Sequence, residues 1–292
     1  MAASLVGDHG EGVTSSNATL QGIPFVKMTG SGNDFVFFDG REVSIERVRA
    51  PEIIMSICNR HNGIGADGIV LLEAAAPAAD VRIHYFNSDG TPADLCGNAT
   101  LCSTALSAIL GLASEAGMTL STPSGLIASR LAAGEPEIDL PPVTVIRATM
   151  PIDTGAGEQR IGFAVAGIPH LVVLCDDADQ VDIDARGPLL RRHGASGPAG
   201  ANVNWVSPMT GGQWRYRTYE RGVEGETLAC GTGAVATAVL LTAWGLATAQ
   251  TVTIRTSSGR NLEVRIPSSV SGSAPTLRGE GRVVFRGVIE SI

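Results

Sequence analysis

The chain contains two copies of one segment, and this duplication restricts the possible folds more than any other feature. Each copy has a Cys-Gly pair before a run of small and apolar residues, "DLCGNATLCSTALSAILGL" and "TLACGTGAVATAVLLTAWG". The matched positions, 134 or 137 residues apart, are Cys96 and Cys230, Gly97 and Gly231, Thr122 and Thr256, Gly125 and Gly259, Gly30 and Gly167, and Asp39 and Asp176. Several matches in one order at nearly one offset predict a tandem repeat.

The repeat predicts an α/β (α+β) fold of two similar lobes. Each lobe is expected to be a mixed β-assembly around a central helix, with the active site in the cleft between the lobes. We predict a flexible leader at 1–24, an N-terminal lobe at 25–148 and a C-terminal lobe at 149–278. The apolar, β-branched run in 279–292 is typical of a strand, which we expect to complete the first lobe.

Composition excludes several classes of protein. Of the 292 residues, 44% are hydrophobic and 17% charged, as in a globular protein with a large core. The net charge of -8 argues against a nucleic-acid partner. The sequence contains no run of 18 apolar residues, so we expect no membrane span. Five cysteines without metal-ligand spacing predict a reducing, cytoplasmic environment and no metal.

The lysine content argues against one common cofactor. Lys27 is the only lysine, and the other basic residues are arginines. Pyridoxal phosphate is held as a Schiff base on a lysine, so the chain offers one candidate for that role. We therefore expect no cofactor.

Each Cys-Gly pair precedes a predicted helix, at 98 to about 112 and at 232 to about 244. Helix N-termini carry unpaired N–H groups and partial positive charge, which bind carboxylates and lower the pKa of a neighbouring thiol. If the lobes pack about a pseudo-twofold axis, Cys96 and Cys230 face each other across the cleft. Two such thiols suit proton exchange at an α-carbon: one thiolate removes the proton and the opposite thiol returns one to the other face.

The two cysteines could also serve without catalysing proton exchange. Free cysteines are often small buried hydrophobes, and from the residues alone that structural role competes evenly with a catalytic pair. A redox pair or a metal site lacks supporting residues. A covalent thiol nucleophile requires a histidine, for which His170 is available, but it does not explain the duplication. A non-enzymatic scaffold gives no reason for two Cys-Gly pairs at helix starts.

Five motifs together resemble the diaminopimelate epimerase family. They are "MTGSGNDFVFFDG" at 28–40, "NGIGADGIVLLE" at 62–73, "NSDGTPADLCGN" at 87–98, "GPLLRRH" at 187–193 and "YERGVEGETLACGTGA" at 219–234. The resemblance runs from about Phe25 to Ile292. It implies a cofactor-independent amino-acid epimerase with two similar lobes, acting on LL- and meso-diaminopimelate in lysine and peptidoglycan precursor synthesis. A homodimer is a separate expectation, because the sequence does not give the oligomeric state.

The resemblance also implies roles for individual residues. Cys96 and Cys230 match the catalytic pair, and His170 with Glu220 matches a polar pair that supports them. The positions that match substrate-binding residues are Asn33, Asn87, Gly97, Asn98, Asn202, Glu220, Arg221, Gly231 and Thr232.

Three positions depart from the family pattern. Ile168 stands where the family has an asparagine that holds the distal end of diaminopimelate, which makes it a candidate for substrate specificity. Ala99-Thr100-Leu101 replace the usual Gly-Ala-Arg, and the segment between Glu220 and Cys230 carries one extra residue. These departures leave open a racemase or epimerase of another amino acid, such as histidine or 2,3-diaminopropionate.

Overall fold

The computed structural model describes residues 20–75, 77–93, 96–267 and 274–291. The helices in these ranges are α1 (Ile45–Val48), α2 (Pro51–Cys58), α3 (Gly97–Ile109), α4 (Ile183–Arg191) and α5 (Gly231–Ala243). The strands are β1 (Pro24–Gly30), β2 (Asn33–Asp39), β3 (Gly68–Ala74), β4 (Val81–Asn87), β5 (Met118–Thr122), β6 (Gly125–Ala132), β7 (Glu135–Asp139), β8 (Ile146–Arg147), β9 (Glu158–Ala166), β10 (Ile168–Cys175), β11 (Asn202–Pro208), β12 (Trp214–Glu220), β13 (Gly225–Thr227), β14 (Thr251–Arg255), β15 (Asn261–Arg265), β16 (Thr276–Arg278) and β17 (Arg282–Val288).

The strands pair in the same order in both halves of the chain. In the first half β1 and β2 form a hairpin, β2 is parallel to β3, β3 antiparallel to β4, and β4 parallel to β5. In the second half β9 and β10 form the hairpin, β10 is parallel to β11, β11 antiparallel to β12, and β12 parallel to β14. Two similar lobes therefore follow from the repeat in the sequence, as predicted.

The lobes are joined through their strands. β7 of the first lobe pairs antiparallel with β16 of the second, so the two strand assemblies are hydrogen-bonded to each other. The last strand, β17, returns to the first lobe and pairs with β1. β8 pairs in the same way with β9, the strand of the second lobe that is equivalent to β1. The boundaries at 148 and 278 stay predictions, because strand pairing continues across the junction between the lobes.

Residues at the C-terminal end of the predicted leader contact the first lobe, and the leader boundary at residue 24 stays a prediction. Residues 1–19 lie outside the described residues, but Leu20 and Ile23 are buried against the first lobe. The Gly22 N–H also donates to the Ile289 carbonyl at 2.8 Å. The described chain thus joins the first lobe before residue 25, because apolar Leu20 and Ile23 find a core to pack in.

The central helix of each lobe is buried around almost its whole circumference. In α3 every residue from Gly97 to Ser107 is buried, and in α5 the same holds from Gly233 to Leu241. This explains why both helices consist largely of small and apolar residues, since strands surround them on all sides. The hydroxyls of Ser103 and Thr104 donate to carbonyls one turn earlier, which satisfies them without water.

Both central helices end close to where the sequence predicts. α3 stops at Ile109, three residues before the predicted end, and α5 stops at Ala243. Gly111 and Gly245 follow with φ of 64° and 73°, a left-handed conformation that glycine adopts without strain. Within the described ranges no helix combines the length and the hydropathy needed to cross a membrane.

Candidate active site

The two predicted catalytic cysteines occupy the same place in their lobes. Cys96 is the N-cap of α3 with φ −128° and ψ 115°, and Cys230 is the N-cap of α5 with φ −128° and ψ 111°. This agreement shows that the Cys-Gly repeat folds the same local structure twice. In both cases the thiol stands at a helix N-terminus, where unpaired N–H groups point outward.

The two helix starts meet at the glycines that follow the cysteines. A Cβ built on Gly97 would lie 3.5 Å from the Gly231 Cα, and one built on Gly231 would lie 3.5 Å from the Gly97 Cα. A Cβ on Gly231 would also come within 2.8 Å of the Leu277 Cδ2 atom. The pseudo-twofold arrangement expected from the sequence therefore brings the N-termini of α3 and α5 face to face.

Cys230 is buried among polar groups of the second lobe. The residue is only 6% exposed, with the Asn202 Nδ2 atom 3.9 Å and the Thr232 Oγ1 atom 3.6 Å from Sγ. Burial raises the pKa of the Cys230 thiol, and the Glu220 carboxylate raises it further. The Thr232 hydroxyl and the Gly233 amide act in the opposite direction, because they stabilise a thiolate.

Cys96 is half-buried and has its own stabilising groups. Burial raises the pKa of its thiol to about 11, while the backbone amides of Ala99 and Asn98 and the Tyr85 hydroxyl work to lower it. Tyr85 itself stays protonated, because burial and the neighbouring Cys96 raise the pKa of its phenol. The phenol is thus available as a hydrogen-bond donor to the Cys96 sulfur.

Glu220 lies at the end of β12, close to the thiol of Cys230. Burial raises the pKa of its carboxyl group, and the Thr227 hydroxyl, which donates to Oε1, partly offsets this. Glu220 acts electrostatically on both Cys96 and Cys230, which places one acidic group near both sulfurs.

In the first lobe a chain of hydrogen bonds positions two predicted substrate-binding residues. The Asn98 Nδ2 atom donates to Asn33 Oδ1 at 2.7 Å, and the Asn33 Nδ2 atom donates to Asp67 Oδ2 at 3.0 Å. The Arg60 guanidinium in turn donates from Nη2 to Asp67 Oδ1 at 2.7 Å. The hairpin β1–β2 is thereby tied to the start of α3.

In the second lobe His170 takes the place that Asn33 has in the first. His170 is completely buried, with its Nε2 atom 3.1 Å from Thr232 Oγ1 and its Nδ1 atom 3.3 Å from Asn204 Nδ2. The predicted pairing of His170 with Glu220 is indirect: His170 reaches Cys230 through Thr232, whereas Glu220 approaches it from β12.

The residues predicted to hold the far end of the substrate lie at the ends of strands or directly after them. Asn202 is buried and its Oδ1 atom accepts from the Arg221 backbone N–H at 2.9 Å. The Asn87 side chain donates to Thr91 Oγ1 at 3.1 Å, at the end of β4. Ile168 begins β10, next to Gly167, where an added Cβ would lie 3.9 Å from the Thr232 methyl group.

Comparison with known proteins shows the family of the chain. The diaminopimelate epimerase family profile matches residues 25–144 and 163–272. A diaminopimelate epimerase from Gemmatimonas aurantiaca is 65% identical over 276 residues, which are 92% of this chain and 99% of that protein. One from Aquifex aeolicus is 36% identical over 251 residues, 82% of this chain and 88% of that protein.

The chain belongs to the diaminopimelate epimerase family.

Solved structures share the fold of this diaminopimelate epimerase family member at low sequence identity. A PhzF-family phenazine biosynthesis protein from Bacillus anthracis has a TM-score of 0.70 at 13% identity, covering 91% of this chain and 98% of that one. A probable proline racemase from Agrobacterium radiobacter has a TM-score of 0.66 at 19% identity, covering 91% and 92%. The two-lobe fold predicted from the repeat is therefore confirmed.

Sequence reasoning did not single out three polar residues at the site of this family member. Tyr85 lies beside Cys96, Asn204 contacts His170, and Tyr216 in turn contacts Asn204. Tyr85 and Tyr216 lie in the alternating runs "VRIHYFN" and "WRYRTYE", a pattern that is typical of strands but does not show what each side chain faces. For Asn204 the sequence carried no signal, because one polar residue inside an apolar strand does not reveal its partners.

The buried histidine makes the stability of this family member sensitive to acid. Burial lowers the pKa of His170 from 6.5 to about 3, with a smaller contribution from Arg221. In the unfolded chain this histidine is protonated below about pH 6.5, whereas in the folded chain it stays neutral down to about pH 3. The free energy of unfolding therefore falls as the pH drops below 6.5. We expect His170 to lower the free energy of unfolding by about 2 kcal/mol when the pH is changed from 7 to 5.

Urea unfolding of the wild type and of His170→Gln at both pH values measures this contribution. The variant should lose about 2 kcal/mol less than the wild type between pH 7 and 5. His61→Gln, at an exposed position, is the matched control and should keep the wild-type difference. Equal pH dependence in the wild type and His170→Gln would mean that His170 titrates normally.

Proposed function

We propose that the protein interconverts LL- and meso-diaminopimelate by a two-thiol mechanism without a cofactor. The observation that carries the proposal is the meeting of the two helix starts, with Cys96 and Cys230 in the same N-cap geometry and Gly97 opposite Gly231. Two acid–base groups of one kind on opposite sides of a cleft suit a reaction that inverts a single chiral carbon.

The proton transfers are complementary. One cysteine, as thiolate, removes the α-proton and becomes a thiol, and the electron pair left on carbon delocalises into the α-carboxylate. The other cysteine, as thiol, gives its proton to the opposite face and becomes the thiolate. The reverse direction exchanges the two roles, so no outside oxidant or base is consumed.

The helix starts provide the electrostatic part of catalysis. The N–H groups of Gly97, Asn98, Gly231 and Thr232, which have no carbonyl partner within their own helices, would bind the α-carboxylate and stabilise the negative charge that builds up on it. Burial raises the pKa of the half-buried Cys96 thiol and of the buried Cys230 thiol, which makes each thiolate a stronger base once formed. A buried site also strengthens each hydrogen bond to the developing charge.

The choice of substrate rests on the relatives and on the polar groups around the cleft. The relatives from Gemmatimonas aurantiaca and Aquifex aeolicus carry the name diaminopimelate epimerase. Arg221 offers a fork that suits a second carboxylate, and Asn87 and Asn202 can bind the distal amino-acid group. The alternative, a racemase of histidine or 2,3-diaminopropionate, is not favoured by these relatives.

Proton NMR of LL-diaminopimelate with reduced enzyme in D₂O tests the function. We expect the α-proton signal to disappear while the meso isomer accumulates. Diaminopimelate would be excluded as substrate by an unchanged spectrum from folded, reduced protein, and the same assay would then be run on histidine and 2,3-diaminopropionate.

Ile168 is the position at which we propose that substrate binding is weaker than in other family members. It begins β10 beside the start of α5 and cannot form a hydrogen bond to the distal end of diaminopimelate. Ile168→Asn should lower KM about 2- to 10-fold with little change in kcat, since one added hydrogen bond acts equally before and during reaction. Steady-state kinetics measures both constants, with Ile168→Leu as the apolar control; an unchanged or higher KM in Ile168→Asn argues against the role.

We further propose a homodimer formed through β17. Among the described strands β17 pairs with β1 alone, which leaves one edge of hydrogen-bonding groups open. Val284, Phe285 and Val288 on this strand are 47%, 46% and 52% exposed, an apolar surface that a second copy would cover.

Phe285→Glu should convert the protein from dimer to monomer, because a charge would be buried in the apolar contact. Light scattering after size exclusion measures the mass against 30.1 kDa per chain. Leu189→Glu, at an exposed apolar position in α4, should remain dimeric. A wild-type mass of one chain at micromolar concentration contradicts the proposal.

The place of action that we propose is the cytoplasm. All five cysteines are free, including the buried Cys58, Cys102 and Cys175. Reduced Cys96 and Cys230 are required for the proposed mechanism, which fits a reducing compartment.

A further inference from the structure

A buried polar network lies behind Cys230, and the proton-transfer scheme above does not use it. His170, Asn204, Tyr216 and Thr218 have no solvent exposure. They come from three neighbouring strands, β10, β11 and β12, and pack against the first turn of α5. Polar groups in such a place need partners, so their donors and acceptors can be assigned one by one.

The orientation of the Asn204 amide is determined by a backbone carbonyl. The Asn204 Nδ2 atom lies 2.8 Å from the Leu171 carbonyl oxygen, which can only accept. Rotating the amide by 180° would set two oxygens against each other at that distance. The Oδ1 atom faces two hydroxyls, Tyr216 at 2.7 Å and Thr218 at 3.0 Å, both of which can donate to it.

This orientation determines which ring nitrogen of His170 carries the proton. The Asn204 Nδ2 group also lies 3.3 Å from His170 Nδ1, so Nδ1 faces a donor and must be the acceptor. A neutral imidazole has one N–H, which is then on Nε2. The ring is neutral at physiological pH because burial lowers the pKa of His170 to about 3.

From Nε2 the hydrogen bonds lead towards the sulfur. The Nε2 atom lies 3.1 Å from Thr232 Oγ1, and Thr232 Oγ1 lies 3.6 Å from Cys230 Sγ. With the Thr232 oxygen accepting from His170, the hydroxyl proton is free to point at Cys230. All donors in this series therefore point in one direction, from Asn204 to the sulfur.

The first lobe lacks this direction of donation at the equivalent place. Asn33 and His170 are equivalent positions in the repeat, and so are Asn98 and Thr232. In the first lobe, however, the helix residue donates to the strand residue, from Asn98 Nδ2 to Asn33 Oδ1. Cys96 has the Tyr85 phenol as donor instead. The two thiols thus have different hydrogen-bond support.

We propose that Asn204 is a positioning residue that holds His170 in the Nε2–H tautomer, so that His170 donates to Thr232 and Thr232 donates to the Cys230 thiolate. This inference rests on the proposed two-thiol function, since it assigns the network to one of the two bases. A donor series of this kind stabilises the thiolate without adding a charge to the buried site.

The tautomer can be read without substrate from long-range ¹H–¹⁵N correlation spectra of protein labelled with ¹⁵N-histidine. His170→Gln identifies the His170 signals by their loss. We expect a protonated Nε2 and a bare Nδ1 in the wild type, and a mixture of tautomers in Asn204→Leu, which has a similar shape but no amide. Thr218→Val is the matched control: it removes another hydrogen bond of Asn204 and should keep the wild-type tautomer.

Kinetics of diaminopimelate epimerisation complete the test. Asn204→Leu should lower kcat about 10- to 100-fold, the effect of weakening one hydrogen bond to a charged group, with KM changed less than about threefold. Thr218→Val should stay within about threefold of the wild type in both constants. Thr232→Val should lower kcat like Asn204→Leu but leave the tautomer unchanged.

The outcomes separate this inference from the proposed function. A protonated Nδ1 in the wild type overturns the role of Asn204, and this holds even if Asn204→Leu does not fold. A lower kcat in Asn204→Leu with an unchanged tautomer, or a changed tautomer with an unchanged kcat, also overturns it. Absence of diaminopimelate turnover by the wild type refutes the proposed function, whereas the tautomer measurement still stands.

Discussion

Replacing either Cys96 or Cys230 by serine is expected to lower kcat for diaminopimelate epimerisation about 10²- to 10⁴-fold. This is the usual contribution of a positioned acid–base group, and a serine hydroxyl is a much weaker acid than a thiol. Serine is close to cysteine in size and is a favourable N-cap residue, so the starts of α3 and α5 should be retained. Because one group must remove the proton and the other must return it, each single variant should fail in both directions.

The measurement is steady-state epimerisation starting from LL- and from meso-diaminopimelate, with circular dichroism to check folding. Cys175→Ala is the control, because this buried free thiol lies at the end of β10. It should keep its kcat and lose about 1–2 kcal/mol of stability from the space left in the core. If a Cys96→Ser or Cys230→Ser variant kept the wild-type kcat, that cysteine would not act as an acid–base group and its role would be structural.

Gly233→Ala is expected to destabilise the protein by about 2–4 kcal/mol and to lower kcat, although alanine is the better helix former. A Cβ on Gly233 would come within 2.3 Å of both the Asn204 Oδ1 atom and the Tyr216 hydroxyl oxygen. Both groups are buried and hydrogen-bonded to each other, so neither can move without breaking the contact. The added methyl group should therefore disrupt the network that supports His170.

Urea unfolding measures this effect, and the repeat supplies the comparison. Ala99 is the equivalent position in α3, where Ala99→Gly should cost about 1 kcal/mol through the lower helix propensity of glycine. A double-mutant cycle locates the collision: on an Asn204→Ala, Tyr216→Phe background, Gly233→Ala should cost much less than in the wild type. An equal cost in both backgrounds would place the collision elsewhere.

Much of the site could be predicted because the sequence repeats itself. The repeat placed two cysteines at two helix starts and set those helices in equivalent lobes, and the strand pairings follow the same order twice. The small and apolar residues along both helices are consistent with the burial that the structure shows. The pairing of Asn98 with Asn33 and of Thr232 with His170 could not be predicted, since these contacts join segments more than 60 residues apart.

By itself the sequence determined the duplication, the helix starts and the two thiols, because these depend on local patterns of residue type and spacing. The tertiary structure alone decided which side chains share the space around each thiol. Gly233 and Ala99 show the difference: both are third residues of equivalent helices, yet only Gly233 faces Asn204 and Tyr216 and so has no room for a methyl group. His170 is likewise directed to Thr232 by tertiary contacts, because its ring lies between Asn204 of β11 and Thr232 of α5.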